Sequence, residues 1–421
     1  MNSETLSFSG RPSRAHVALA MTALAGLVLF ILACRPSWSP DGQRVLYSYW
    51  DTAANETGVA VFDRKTHTSR VIWVNSDATQ SGKRSVLAQW SLDGTQAILT
   101  IATDNSADVL LLPIRSQKPT RRYTLNNLGA SAYLPAPQVG NYLFLGRQNS
   151  MLRLDLENGE VLEGESRKEL DSDFGLVPFE LNHKIMYLAN IKKEPAPAAK
   201  KEAADSQEEH PGNLELGEVD AKDLSLHTTL TLTETDLKAK GIGSITGFLD
   251  VEPKSGRIAL LTEQLKGTAL LVLGPEGIVK IVEAGQKTKE DAYGNLQWSR
   301  DGKLIYVTAL LQIAETARTQ FAVVEVPLDG TSPRIDQILE GPKTEFDEEL
   351  LDYGQIALSP DGKLIAVSNG YNEKVGPEKR GIFLLDVSQP GRPVSFYPAP
   401  ALPAVPQKSA NKTEAKPAAK E

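Results

Sequence analysis

The chain contains a single cysteine, Cys34, and its surroundings suggest a particular thiol chemistry. One cysteine excludes an intrachain disulfide and a zinc site built from paired cysteines. Cys34 directly follows an uncharged apolar run, residues 17–33, which is preceded by a polar segment carrying Arg11 and Arg14. A basic start, an apolar stretch and a small residue before the cut form a secretory signal. We therefore predict that residues 1–33 are a signal segment and that Cys34 is modified rather than catalytic or buried.

The residues Ile31-Leu32-Ala33-Cys34 resemble the lipobox of bacterial lipoproteins. The resemblance implies that the Cys34 thiol receives a diacylglyceryl group, that the signal is cut before Cys34 and that the new amine is acylated. Two or three acyl chains form a stable membrane anchor, whereas one chain is marginal. In the signal that retains lipoproteins in the inner membrane, an aspartate directly follows the acylated cysteine. Arg35 occupies that position here, so the resemblance favours the periplasmic face of an outer membrane or the cell surface.

An uncleaved membrane-spanning helix is the main alternative for the N-terminal segment, and a buried core helix is a further one. A helix of 17 residues rises about 25 Å, whereas the hydrocarbon core of a bilayer is about 30 Å thick. Arg35 would lie just outside that membrane, which the positive-inside tendency disfavours. Cleavage and acylation at Cys34 therefore explain the segment better, and the helix remains open.

The remaining reactive side chains form no recognisable catalytic or metal-binding set. Of the five histidines, His16 lies in the signal segment and His210 in the predicted disordered insertion. The others lack neighbouring ligand residues at helical or hairpin spacing and are interpreted as surface residues; they are His67, His183 and His227. The acidic stretch Glu345–Glu349 could bind a cation, but such loops are more often simply solvated. No phosphate-cradling glycine loop and no pair of catalytic carboxylates is present. We predict no catalytic residue, no metal and no cofactor. Propeller enzymes draw their catalytic residues from several blades, so an enzyme remains an open alternative.

The charge of the chain excludes one class of partner. There are 45 basic and 53 acidic residues, which give a net charge of −8. Proteins that bind nucleic acid usually carry a basic face. We therefore expect no nucleic-acid partner and interpret the spread acidity as a solvated surface.

A five-residue turn signature recurs four times, each time before an apolar strand. The copies are Trp38-Ser39-Pro40-Asp41-Gly42, Trp90-Ser91-Leu92-Asp93-Gly94, Trp298-Ser299-Arg300-Asp301-Gly302 and Leu358-Ser359-Pro360-Asp361-Gly362. Serine can bond nearby backbone amides, proline presets φ, and glycine adopts the positive φ that reverses the chain. The aspartates are interpreted as structural, capping their own turns. The apolar residue before the serine is expected to pack between neighbouring repeats.

Weaker copies of the turn fill the gap between the second and third clear copies. They are Gln138–Asn141, Leu181–Lys184 and Lys254–Arg257. Spacings near 40–50 residues suit four-stranded propeller blades. We predict an all-β fold: a β-propeller over residues 34–398 with about seven four-stranded blades, six or eight remaining open. Residues 192–212 are predicted to be a disordered insertion and residues 399–421 a disordered tail rich in Pro, Ala and Lys.

The repeat resembles that of TolB-type propellers, a WD-repeat-like family, over roughly residues 36–398. TolB has an α/β domain ahead of its propeller, whereas the first turn here lies four residues past Cys34, so its own role is not implied. Similar repeats form the non-catalytic propeller of prolyl-oligopeptidase-like peptidases, which also need a hydrolase domain with Gly-x-Ser-x-Gly, a motif this chain lacks. The short spacing further predicts that either blade 1 is incomplete or ring closure involves the segment beside Cys34.

These patterns favour a membrane-tethered, extracytoplasmic propeller that serves as a protein-interaction scaffold in the cell envelope. The membrane would be reached through the N-terminal lipid, or through a helix, and the partner would be another envelope protein. A propeller enzyme, such as a hydrolase or a lactonase-like protein, and a sensor of a small ligand are the alternatives, with a site at the central channel. Fold alone does not decide among them, and the oligomeric state is not determined by the sequence.

Overall fold

A computed structural model describes the residues on which the fold rests. These are residues 35–75, 86–102, 106–116, 118–126, 136–147, 149–167, 170, 176–191, 212–264, 267–286, 291–313, 318–342, 355–370, 376–389 and 391–402. Cys34 and the signal segment lie outside them, as do 192–211 of the predicted insertion and the tail from 403. His16, His210 and Glu345–Glu349 lie outside them as well.

The described chain forms seven four-stranded antiparallel sheets, each made of four consecutive strands. Blades 1 to 3 contain β1 (Ser37–Trp38), β2 (Arg44–Asp51), β3 (Glu56–Asp63), β4 (Thr68–Val74), β5 (Val86–Trp90), β6 (Gln96–Ala102), β7 (Ser106–Pro113), β8 (Arg121–Asn126), β9 (Gln138–Val139), β10 (Tyr142–Gly146), β11 (Met151–Asp155) and β12 (Val161–Glu163). Blades 4 and 5 contain β13 (Leu176–Leu181), β14 (Lys184–Ile191), β15 (Asn213–Val219), β16 (Leu226–Leu232), β17 (Ile242–Val251), β18 (Ile258–Gln264), β19 (Gly267–Gly274) and β20 (Gly277–Gln286). Blades 6 and 7 contain β21 (Ala292–Trp298), β22 (Leu304–Gln312), β23 (Arg318–Pro327), β24 (Arg334–Pro342), β25 (Ile356–Leu358), β26 (Leu364–Ser368), β27 (Gly381–Asp386) and β28 (Val394–Pro398). The predicted all-β propeller with seven four-stranded blades is confirmed.

The first hairpin turn of each clear repeat is held by its own side chains. In blade 1 the Ser39 hydroxyl accepts the Arg44 N–H at 2.9 Å and donates to Asp41, whose carboxylate accepts the Gln43 N–H at 3.0 Å. Gly42 has a φ of +68°, which glycine adopts without steric cost. The hydrogen bond from Ser39 is the main reason that the pKa of Asp41 lies below its usual value. The end of the ring that carries these turns is called the turn face below.

The tryptophans of the signature join neighbouring blades. The indole N–H of Trp90 donates to the Ser37 carbonyl of blade 1 at 2.8 Å, and that of Trp298 donates to the Asp250 carbonyl of blade 5 at 3.1 Å. The indole N–H of Trp38 donates to the Ala357 carbonyl of blade 7 at 2.8 Å. An aromatic ring with one donor suits a seam that is apolar but lined by carbonyl oxygens. We call this contact the indole clasp.

Within the described ranges, no strand is shared between the two ends of the chain where the ring closes. Blade 1 has an inner strand of two residues, β1, as the short spacing after Cys34 allowed. Trp50 lies in β2 beyond the residues that pair with β1, and its N–H donates to the Gly370 carbonyl of blade 7 at 2.9 Å. The C-terminal segment then crosses to blade 1, where the Leu402 N–H donates to Asp51 at 2.9 Å and its side chain joins the apolar cluster between blades 7 and 1. The propeller therefore closes through packing and the indole clasp of Trp38.

Local details of blades 3 to 5 differ from the clear repeats. Blades 3 and 4 turn on two residues, and in blade 4 both residues, Asn182 and His183, have positive φ. A short helix, α1 (Glu234–Ala239), connects blades 4 and 5, and it begins at a capping box between Thr233 and Asp236. The sequence reading placed these turns but did not anticipate α1. A 3-10 helix, Pro377–Lys379, precedes β27.

We expect Trp38→Phe to lower the free energy of unfolding by about 0.5–1.5 kcal/mol, because it keeps the ring but loses the clasp hydrogen bond. Trp38→Ala is expected to cost about 3–5 kcal/mol, since it also empties the closing seam. Urea unfolding measures both, with Trp73→Phe, at a half-buried tryptophan of the outer strand β4, as the control. Equal stability of Trp38→Phe and the native chain would contradict a clasp at this seam.

Candidate functional site

The backbone position occupied by a clasping tryptophan can be followed from blade to blade. A side chain of the preceding blade accepts the N–H of that position: Asp250 accepts that of Trp298 at 2.8 Å, and Gln297 accepts that of Leu358 at 2.9 Å. In the same way, Gln89 of blade 2 accepts the Ala136 N–H at 3.1 Å and donates to the Ala136 carbonyl at 2.9 Å. Ala136 therefore stands in blade 3 where Trp90 and Trp298 stand in blades 2 and 6.

The seam between blades 1 and 2 shows what a tryptophan fills. Trp90 packs in one apolar cluster with Leu46 and Val61 of blade 1. The Arg44 guanidinium lies over the Trp90 ring, 4.6 Å from its centroid, and donates to the Gly94 carbonyl at 3.3 Å. In the seam between blades 5 and 6, Arg257 covers Trp298 at 4.9 Å. Each of these two seams thus holds an indole beneath a guanidinium.

The seam between blades 2 and 3 is open on the turn face. Gln96, Ile98 and Leu111 occupy the positions that Arg44, Leu46 and Val61 occupy in blade 1, and here they line a groove of about 700 Å³. This volume lies within the range of about 300–1,000 Å³ for ligand sites. We call it the seam groove. Its lining residues are Ser91, Leu92, Asp93, Gln96, Ile98, Leu111, Thr120, Arg121, Gln138, Gly140, Asn141, Leu156 and Glu157.

Contacts at the turn glycines confirm that blade 3 is not covered by its neighbour. A Cβ built at Gly42 would lie 3.5 Å from Pro360 of blade 7, and one at Gly94 would lie 3.1 Å from Pro40 of blade 1. A Cβ at Gly140 would meet no heavy atom within 4 Å. Leu92 replaces the proline in blade 2, and its side chain is 56% exposed at the rim of the groove. A single exposed apolar side chain is ordinary on a protein surface, so it is the groove beside Leu92 that singles out this edge of blade 2.

The seam groove has an apolar floor and a rim of mixed charge, where Asp93 and Glu157 lie with Arg121, whose guanidinium donates to the Leu156 and Glu157 carbonyls. Ile98, Leu111 and Leu156 are buried at the floor. At the rim, the pKa of Asp93 is lowered, first by the Ser91 hydroxyl and then by Thr95, so its carboxylate stays ionised. The Glu157 carboxylate accepts the Asn141 side-chain N–H at 3.0 Å. Among the residues that line the groove, no activated nucleophile and no paired acid and base stands out.

A second polar contact spans the central channel. Arg35 precedes β1 of blade 1, and its guanidinium lies 3.7 Å from the Asp250 carboxylate of blade 5, whose side chain is 17% exposed. Blades 1 and 5 are not neighbours in the ring, so this pair crosses the channel. Burial raises the pKa of Asp250, and the Arg35 charge and the Trp298 N–H oppose that rise without cancelling it. The residue directly after Cys34 is thereby fixed inside the propeller.

The structure keeps the other candidate residues apart. His67 contacts the Tyr397 hydroxyl at 2.9 Å, His183 lies 3.4 Å from Glu180, and His227 lies 3.3 Å from the Ser225 hydroxyl. Within the described ranges, no three His, Cys, Asp or Glu side chains form a group that could hold a metal ion. In that same part of the chain, no helix has the length and apolar character needed to cross a membrane.

The sequence reading missed the seam groove because its defining feature is a small residue in a weak repeat. The signal that could have found it is the loss of both the tryptophan and the long turn in the third unit, where Ala136 is followed by Gln138–Asn141. The residues of the clear repeats are structural, because their Asp and Gly hold the hairpin turns and their Trp join neighbouring blades, and of them only Asp93 also lines the groove. They are Trp38, Asp41, Gly42, Trp90, Asp93, Gly94, Trp298, Asp301, Gly302, Asp361 and Gly362.

Comparison with known proteins places the chain by fold alone. No protein-family model matches it, and no curated protein sequence does. Among solved structures, a prolyl endopeptidase aligns over 91% of this chain and 53% of its own with 12% identity and a TM-score of 0.53, so this chain spans about half of it. A protein from Lactobacillus plantarum aligns over 85% of this chain and 97% of its own, with 14% identity and a TM-score of 0.51. The C-terminal WD40 domain of Sif2 aligns over 87% of this chain and 86% of its own, with 12% identity and a TM-score of 0.47.

The channel pair makes stability depend on pH. An acid with a raised pKa binds its proton more tightly in the folded chain, so the stability it contributes is present below its ordinary pKa of 3.8 and is lost as the pH rises. Asparagine does not ionise. We therefore expect the free energy of unfolding of Asp250→Asn, relative to the native chain, to increase from about pH 4 upward and then level off. Urea unfolding across that range measures it, and a difference that is constant with pH would contradict the burial of this carboxylate.

Proposed function

We propose that this protein is a lipid-anchored propeller of the bacterial cell envelope that binds another envelope protein through the seam groove. The observation that carries the proposal is the groove at Ala136, whereas the seams between blades 7 and 1, 1 and 2, and 5 and 6 hold a tryptophan at that position. A groove with an apolar floor, a polar rim and an exposed leucine fits the anatomy of protein-binding surfaces. The seven-bladed ring supplies a rigid frame around it, which limits the entropy lost on binding.

The position of the chain entry supports a groove that faces away from the membrane. Strand β1 runs toward the turn at Ser39–Gly42, so its N-terminal end points to the opposite face of the ring. Arg35 lies two residues before β1, and its guanidinium reaches the Asp250 carboxylate across the channel. An acyl anchor on Cys34 would therefore hold the propeller against the bilayer and leave the turn face accessible to a partner.

We place the proposed site at the groove rather than in the central channel. The Asp250 carboxylate of the channel is engaged by Arg35 and by the Trp298 N–H. This pair lies at the chain entry, and it offers no feature that favours catalysis or a small-molecule sensor. The scaffold is therefore the function that the geometry supports best.

Replacing Cys34 tests the anchor. We expect Cys34→Ser to lose acylation and to be released from the membrane or mislocalised, because serine provides no thiol for the diacylglyceryl group. Membrane fractionation and mass spectrometry of the N-terminal peptide measure the outcome, with the native chain processed in parallel. A variant that remains uncleaved and normally membrane-bound would establish the helical anchor instead.

Replacing Leu92 tests the groove as the partner site. We expect Leu92→Glu to reduce cross-linking of the partner in membranes at least about tenfold, because it places a charge at an apolar contact. Val279→Glu is the matched control, since Val279 is 57% exposed on the outer strand of blade 5 and lies outside the groove. Equal loss in both variants, or no loss with Leu92→Glu, would contradict the groove as the binding surface.

A further inference from the structure

We propose that the four residues after the last strand, 399–402, form a latch that controls opening of the propeller between blades 7 and 1. We call this segment the strap. It docks at the end of the ring opposite the turn face, because β2 runs away from the turn at residues 39–42 and ends at Asp51, which the strap contacts. The inference goes beyond the proposed function and does not depend on the seam groove.

The strap ties blade 7 to blade 1 through its backbone and through one side chain. The Ala399 N–H donates to the Arg380 carbonyl of blade 7 at 3.0 Å, and the Leu402 N–H donates to the Asp51 carboxylate of blade 1 at 2.9 Å. The Leu402 side chain is only 7% exposed and packs in the apolar cluster between the two blades. A segment that merely continued from β28 would have no reason to bury a leucine across the seam.

Blade 1 is shaped to receive Leu402. Gly58 of β3 leaves room for it, since a Cβ built there would lie 2.7 Å from the Leu402 Cδ2 atom and 3.0 Å from the Tyr49 ring. In a close-packed seam, alanine at position 58 would therefore push one of these side chains aside. Asp51 accepts the Leu402 N–H through one carboxylate oxygen and holds the turn between β2 and β3 through the other. We call Tyr49, Asp51 and Gly58 the leucine seat.

The seam beneath the strap has features that favour its opening. Strand β1 pairs only with Val45 and Leu46, so among the described residues the rest of β2 has no inner-strand partner in its own blade. The Trp50 N–H bonds instead to Gly370 of blade 7. The buried Tyr49 hydroxyl has no hydrogen-bond partner in the part of the chain that the structure describes, and such a group favours conformations in which water reaches it. A strap that covers this seam opposes its opening.

Hydrogen–deuterium exchange of the full-length chain in detergent micelles tests the latch. The reporter is the Trp50 amide, because its hydrogen bond crosses the closing seam. We expect Leu402→Ala to speed exchange of this amide at least about tenfold, since the smaller side chain no longer fills the leucine seat. The Trp298 amide, which bonds to Asp250 between blades 6 and 5, is the internal reference and should exchange at the native rate.

Two further variants separate the latch from a general loss of stability. Gly58→Ala disturbs the same contact from blade 1 and should speed exchange of the Trp50 amide about three- to tenfold. Combined with Leu402→Ala, it should add less than its own effect, because the contact can be lost only once. Val394→Ala is the matched control, since Val394 is exposed on β28 shortly before the strap, and it should leave exchange unchanged.

Three outcomes would overturn the inference. They are unchanged exchange of the Trp50 amide in Leu402→Ala, equal acceleration of the Trp50 and Trp298 amides, and effects of Gly58→Ala and Leu402→Ala that simply multiply. If Leu402→Ala does not fold, Gly58→Ala alone decides the question through the same two amides. Cross-linking of the partner is measured separately with Leu92→Glu, so the latch and the proposed function can fail independently.

Discussion

The ring depends on a recurring contact in which an indole N–H of one blade donates to a backbone carbonyl of the blade before it. In the part of the chain that the structure describes, each sheet consists of consecutive strands, so side chains must hold each seam. A tryptophan does this well, because its ring fills apolar space while its N–H satisfies a carbonyl at the same depth. Trp38, Trp90 and Trp298 each make that bond, and Trp38 makes it across the closing seam. Where arginine covers the ring, cation–π attraction adds to the contact.

The same position explains the proposed site. A repeat protein is stabilised by interfaces between neighbouring units, so a change at one interface position alters one seam and leaves the rest. Between blades 2 and 3, Ala136 stands in place of the tryptophan, Gln96 in place of the arginine and Leu92 in place of the proline found at the equivalent positions of other blades. Departures from a local rule tend to gather at functional sites. The direction of β1 meanwhile points its N-terminal end to the opposite side, which would orient this seam away from the proposed anchor.

The turns and strands could be predicted from the sequence because they are local. Ser39, Asp41 and Gly42 lie within one hairpin, and their residue types specify its geometry. The clasp partner of Trp38 lies 319 residues away, and Arg35 meets Asp250 across the channel, so neither follows from spacing. The groove was harder still to predict from the sequence. An alanine at position 136 becomes informative only when its seam is compared with the others in the structure. Similarity to solved propellers establishes the fold and leaves function to the site.

The reactivity of thiols placed at equivalent wall positions tests the open seam most directly. In a Cys34→Ser background, Leu111→Cys puts a thiol in the seam groove, and Val61→Cys puts one behind Trp90. Reaction of a small methanethiosulfonate with each depends on access as well as on thiolate content. The open seam predicts that the thiol at position 111 reacts at least about tenfold faster than the one at position 61. Equal rates would show that the seam between blades 2 and 3 is as closed as its neighbour.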